Sequence, residues 1–377
     1  MVLRIFGWSF AVTIASLIVA AIYGGPQAVL LVVILSILEI SLSFDNAVIN
    51  ATVLRRMSEF WQKIFLTVGI VIAVFGMRLV FPLVIVWLAS GLGPVAALDL
   101  ALNPPADGAA YFPDGSASYE TLLTDAHPQI AAFGGMFLLM LFLGFILEER
   151  EITWLSWLEK PLARAGKLDQ LAVIIAGALL LITAAYIAPE DTVSTVMIAG
   201  VLGMVTYIAV NGLGELFNTE EGDEDSETTK SSGPTQLAKA TGKAGFFLFL
   251  YLEVLDASFS FDGVIGAFAI TSDPIIIALG LGFVGAMFVR SITVFLVRKG
   301  TLSDYVYLEH GAHWAIGALA VILLVSIGYH VNENVTGLVG VALIGAAFIS
   351  SILRNRRNPE PISVDDHDDQ AESVPVG

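Results

Sequence analysis

Two short stretches of this chain carry residue types that could do chemistry in an otherwise apolar setting. The first is Leu38-Glu39-Ile40-Ser41-Leu42-Ser43-Phe44-Asp45-Asn46-Ala47-Val48-Ile49, inside an apolar run from about Val29 to Leu54. The second is Leu255-Asp256-Ala257-Ser258-Phe259-Ser260-Phe261-Asp262-Gly263-Val264-Ile265-Gly266, preceded by Glu253. Both have an acid, five intervening residues and a second acid that closes a Ser-Phe-Asp core. A run of about 20 apolar residues crosses a bilayer. An ionised side chain at its centre costs roughly 2.5–3.5 kcal/mol on insertion scales. Acids kept in such a place point to a substrate or ion pathway. The candidate metal ligands are Glu39, Asp45, Asn46, Glu253, Asp256 and Asp262, with Ser43, Ser260 and backbone carbonyls nearby. These are hard oxygen donors without Cys or His, a set that suits Mn2+, Mg2+ or Ca2+ better than Zn2+ or Cu+. Carboxylates clustered at low dielectric take up protons and cations in competition, so protons are the candidate coupling ion.

The spacing adds a structural expectation. At about 100° per residue, positions six apart point about 120° apart on a straight helix. Glu39 and Asp45, or Asp256 and Asp262, can share one ion only if the helix is interrupted. Interruptions are expected near Ser43–Asn46 and near Ser260–Gly263, where Asn and Gly tolerate non-helical backbone. Glu253 and Asp256, three apart, share a face. Each stretch is followed, about 30 residues on, by a lone Arg in an apolar span, Arg78 and Arg290. Arg cannot shed its charge and needs an acidic partner, so these two are expected to balance the carboxylates. The plain structural alternative is a pair of buried ion pairs that hold the bundle together.

The elements that must position these residues follow from composition. The 377 residues are 56% hydrophobic and 14% charged, with a mean hydropathy of +0.81. That is an all-α, polytopic membrane protein, because the long apolar runs lack the alternation of barrel strands. About ten spans are expected, at 5–23, 27–54, 64–90, 129–148, 170–188, 193–217, 244–270, 274–298, 312–330 and 335–353. Gly24-Gly25-Pro26 separates the first two, and the N-terminal run reads as a first transmembrane helix (1–26) rather than a cleaved signal. A first membrane half (27–217) carries an external loop (91–128). An acidic cytoplasmic linker (218–243), a second half (244–353) and an acidic cytoplasmic tail (354–377) follow.

Charge supports this order. Lys and Arg fall in every second loop, which places both termini in the cytoplasm of a plasma-membrane protein. Span 2 then runs inward and span 7 outward, so the two acidic stretches form an inverted-topology repeat with a site near the midplane. Much of the net charge of −17 lies in Thr219–Glu227 and Asp365–Glu372, solvated acidic segments that argue against nucleic-acid binding. The acids of loop 91–128 read as an external cap or a cation-concentrating vestibule. Glu148–Lys167, with Trp154 and Trp157, reads as an interfacial amphipathic helix. His310, His313 and His330 are expected near span ends, not on metal. No Cys is present, and no nucleophile–base pair or phosphate loop is visible, so an enzyme is not expected and no tightly bound cofactor is called for.

At these residues the chain resembles the TerC-like (tellurium-resistance protein C) integral membrane proteins. Glu39-x5-Asp45-Asn46-Ala47 is similar to the first signature of that superfamily, and Glu253-x2-Asp256-x2-Phe259-x2-Asp262 to the second. The intramembrane Arg after each is similar as well. The chain departs from the pattern after the second Asp, where it has Gly263-Val264-Ile265 in place of Ser-Ile-Pro. The resemblance covers about residues 27–300. It implies a multipass cation exporter, with Mn2+ efflux foremost, and an association with tellurium-ion resistance. Two other readings are a membrane scaffold for a metal or tellurium stress complex, recruited through the acidic linker and tail, and an exporter of amino acids or other small metabolites. The bilayer and a divalent cation are the expected partners; the oligomeric state is left open.

Overall fold

The computed structural model describes residues 2–42, 44–69, 71–72, 76, 80–105, 109–168, 170–224, 242–271, 273–298, 305–331 and 333–357. Among them the chain is helical almost throughout, and the extended pairing is confined to one bridge between Tyr111 and Ala117 in the 91–128 loop. The helices are α1 (Val2–Leu42), α2 (Phe44–Leu54), α3 (Glu59–Ile64), α4 (Phe81–Ser90), α5 (Pro94–Leu102), α6 (Tyr119–Asp125), α7 (His127–Ile146), α8 (Ser156–Ala165), α9 (Leu171–Tyr186), α10 (Val193–Glu224), α11 (Gly242–Ile270), α12 (Pro274–Ile277), α13 (Ala286–Arg298), α14 (Leu308–Ser326) and α15 (Glu333–Arg357). Wide-turned, π-helical backbone interrupts this series: among the described residues it forms two continuous stretches and recurs at Ile72, Gly76 and Val80. π1 (Phe65–Gly69) follows α3, and π2 (Ala278–Gly285) joins α12 to α13.

Among the described residues six helical segments are long and apolar enough to cross a bilayer on their own: Ile5–Ile40, His127–Ile146, Val193–Gly212, Pro274–Val297, Leu308–Ser326 and Val335–Arg357. The first is broken at Gly25, whose φ of 68° is open to glycine, with Pro26 next to it. The breaker expected at 24–26 therefore falls where the backbone turns. α9 is apolar but shorter. α11 has 29 residues, ample length, but carries Glu253, Asp256 and Asp262. α10 runs on to Glu224, so the linker expected from 218 opens as helix.

α7 is the central post. It packs against α10 and α14 and also contacts α9 and α11. Its buried face sets the small residues Ala131, Ala132, Gly134 and Gly135 before a run of Leu, Met and Phe, and close packing of small residues substitutes for a hydrophobic drive that lipid does not provide. Gly203 of α10 lies so near the backbone of Phe133 that a side chain there would collide with it. α1 lies along π2 and α13, and α13 packs on α2. The outward faces of α1 and α15 leave Trp8, Ile14, Ile22, Leu338 and Ile349 more than half exposed, as lipid-facing helices require.

Candidate functional site

Two apolar clusters divide the molecule. The larger holds Val48–Leu54 of α2, Phe249–Leu255 of α11 and most of α7 and α14. The smaller holds Ala28–Leu35 of α1, Val264 and Ala267 of α11, α4 to α6 and π2. Glu39 and Asn46 lie between the clusters on one chain segment, and Asp256 and Gly263 on the other. Both acidic stretches thus cross one polar layer, in opposite directions: the first passes from the smaller cluster to the larger, the second from the larger to the smaller. The contacts agree, since Asn46 meets Asp256 and Glu39 meets Gly263.

At the level nearer the larger cluster, Asn46 Nδ2 donates to Asp256 Oδ1 at 2.5 Å, and both residues are buried. Glu253, one helical turn before Asp256, is 5% exposed. Neither of its carboxylate oxygens has a hydrogen-bond partner among the described residues. The Oδ1 atom of Asn50, 3% exposed, is in the same condition. These side chains line a cavity of about 30 Å³ with Phe65, Leu66, Gly69, Val289, Arg290 and Thr293. That is room for a water or a bare cation. Arg290 donates from Nε to the Leu66 carbonyl at 3.1 Å. Thr293 donates to the Val289 carbonyl at 2.9 Å and reaches that of Ala47 at 3.4 Å. Asn50 and Thr293 were not among the expected ligands. Their signal was available: Asn50 is one turn beyond Asn46, and Thr293 three residues beyond Arg290, so each shares a face with a residue already singled out.

Glu39 occupies the other level, 1% exposed. A Cβ placed on Gly263 would stand 2.9 Å from Glu39 Oε2, and one on Gly285 would overlap Glu39 Cγ. The carboxylate therefore lies in a slot that two glycines leave open.

Of the six expected ligands, the structure describes the side chains of Glu39, Asn46, Glu253 and Asp256, and it brings Asn46 to Asp256 while Glu39 lies against Gly263. Among the described residues no three His, Cys, Asp or Glu side chains converge to hold a metal. Glu253 and Gly263 are ten residues apart on α11, about 15 Å along the axis. The side chains of Asp45, Asp262, Ser43 and Ser260 and all of Arg78 lie outside the described residues. Of the interruption expected at Ser43–Asn46, residues Phe44–Asn46 are helical and Ser43 lies outside the described residues. The expected interruption of the second copy is corrected: α11 is continuous from Gly242 to Ile270. The physical reason is visible at Gly263. Its missing side chain admits Glu39, and does not serve as a helix break. Asp256 and the Cα of Gly263 consequently meet different parts of the facing segment.

Polar groups elsewhere behave differently. In the 91–128 loop the Ser116 hydroxyl and amide hold the Asp114 carboxyl below its usual range, while burial pushes that of Glu120 up. These acids are thus not a uniform set of charges. At the other end of α7, Glu159 of α8 is 4% exposed. It accepts from the amides of Trp154 and Leu155 and from Trp314 Nε1, at 3.0, 3.3 and 3.1 Å. His310 Nδ1 is 3.1 Å from it, a close contact without hydrogen-bond alignment. His313 stacks on Phe145, and Arg150 lies over the Phe145 ring. His310 and His313, expected at the interface, are buried at the start of α14. Trp157, in contrast, is 75% exposed on the outer side of α8.

No curated protein and no solved structure matched this chain. A family model described as "Protein of unknown function (DUF475)" matches residues 44–358. That interval begins within the first acidic stretch and contains the whole of the second, Arg290 and all helices from α3 to α15, so the chain belongs to this DUF475 family of membrane proteins.

Proposed function

We propose that the chain is a secondary-active transporter that exports a divalent cation, with Mn2+ the first candidate. One observation carries the reading. Glu253 is buried in a membrane-spanning element with both carboxylate oxygens lacking partners among the described residues, and it faces a cavity of about 30 Å³ shared with Asp256 and Asn50. Burying a carboxylate without compensation costs several kcal/mol. A bundle keeps such a group where a ligand or a proton periodically meets it. The donors are all oxygen, which favours a hard cation. The resemblance to the TerC-like superfamily points the same way.

In this reading Glu253, Asp256, Asn46 and Asn50 form one level of the pathway. Glu39 forms the second level, and Asp45 and Asp262 are the further proposed ligands of the pathway. Arg290 and Arg78 offset the negative charge when the cation has left. Protons taking the cation's place give a basis for exchange. An oxyanion such as tellurite is a poor cargo, because the same carboxylates repel it.

The test is flux in proteoliposomes that contain a Mn2+-sensitive dye. The wild type is expected to carry Mn2+. Glu253→Gln and Asp256→Asn are expected to cut the rate at least about tenfold, the scale on which removing a charged ligand is felt. Asp45→Asn and Asp262→Asn are expected to do the same. Unchanged flux in all four variants removes the proposed ligands.

A further inference from the structure

The two π-helical stretches occupy matching places. Each follows a copy of the acidic stretch and lies upstream of the intramembrane Arg that succeeds it: π1 is Phe65–Gly69, before Arg78, and π2 is Ala278–Gly285, before Arg290. Gly69 of π1 and Gly285 of π2 each bear on an acidic side chain of the other half of the chain. A Cβ on Gly69 would stand 2.7 Å from Glu253 Oε1, and a Cβ on Gly285 would overlap Glu39 Cγ. Each stretch also offers a carbonyl to a side chain of the other half. Leu66 O in π1 accepts from Arg290 Nε at 3.1 Å, and Gly280 O in π2 is approached by Ser36 Oγ at 3.4 Å. Ser36 Oγ also donates to the Val32 carbonyl at 2.6 Å, so its link to π2 is the weaker of the two contacts.

A π turn holds one residue more than an α turn, is rare, is a place where helices kink, and is found frequently at functional sites. We propose that π1 and π2 are a matched pair of hinges. Gly69 and Gly285 are positioning residues that seat Glu253 and Glu39, and displacement of either carboxylate by cargo frees the hinge on which it rests. This rests on the transport reading above for its cargo, but not for the hinges themselves. In α11 and α1 the carboxylate stands on an unbroken helical segment, so the yielding part is the π stretch opposite. Cation binding at one level then loosens one stretch while the other stays braced, which supplies the asymmetry that alternating access needs.

The experiment combines hydrogen exchange read by mass spectrometry with Mn2+ flux, on the full chain in detergent and in proteoliposomes. Amides of 65–69 and 278–285 are expected to exchange roughly tenfold faster than those of α7, with Mn2+ changing the two stretches unequally. Ser36→Ala, which touches no carboxylate, is expected to raise exchange in 278–285 about threefold and leave 65–69 unchanged. Gly69→Ala is expected to slow flux about tenfold, and adding Glu253→Asp, whose shorter side chain makes room, to restore a large part of it. Glu253→Asp is not expected to rescue Gly285→Ala. Exchange in both stretches equal to that of α7 and unmoved by Ser36→Ala overturns the hinges, as does a Gly69→Ala protein that transports at the wild-type rate. If the wild type carries no Mn2+, the transport reading falls, and the exchange measurements alone still decide the hinges.

Discussion

Glu253 and Asp256 are separated by one helical turn, yet their surroundings differ. Asp256 receives the amide of Asn46, whereas the oxygens of Glu253 face a cavity. The Asn46–Asp256 bond also ties the two acidic stretches directly together, which is a structural role. Asn46→Ala removes a hydrogen bond to a buried charged group, which is worth about 1–3 kcal/mol. The expected outcome is a lower melting temperature in detergent. Glu253→Gln at the same level keeps the shape, removes a poorly compensated charge and is expected to leave the melting temperature equal or higher while flux falls. A residue held for stability behaves like Asn46, and a residue held for cargo behaves like Glu253.

At the scale of elements, α8 and α11 show how one buried group settles where a helix lies. α8 is a short amphipathic helix with Trp157 outward and Glu159 inward. Glu159 ties the turn before its own helix to Trp314 and His310 of α14. Glu159→Ala leaves those donors without their acceptor, a loss of roughly 2–4 kcal/mol. The helix is expected to detach before the bundle melts, and limited proteolysis between 149 and 168 measures that. α11 makes the opposite point. Its Gly263 suits a break from the sequence, but the helix runs through because the space is taken by Glu39.

For the whole molecule, the arrangement of Lys and Arg predicts which loops face the cytoplasm. Because the chain has no Cys, each introduced thiol reports alone. Ser116→Cys, in the 91–128 loop, is expected to react with a membrane-impermeant maleimide on intact cells. Ser232→Cys, in the acidic linker, is expected to react only after permeabilisation. Labelling of both from outside overturns the inverted relation of the two halves.

The class of the molecule and its acidic residues were legible because both rest on local chemistry. Apolar run length sets a spanning helix, and an acid within such a run declares itself by its cost. The start expected at 274 matched because Pro274 opens a helix behind the Asp273 cap. The turn at Gly25 was legible for the same reason, as Gly-Gly-Pro breaks a helix wherever it stands. Which carboxylate meets which partner was decided only by the tertiary structure. Glu39 and Glu253 lie more than two hundred residues apart, and their distribution over two levels depends on how α1, α11 and the π-helical stretches cross. Equally, nothing in the sequence marks Gly69 or Gly285 among the other glycines, because a glycine's use is fixed by the neighbour that fills the space it leaves.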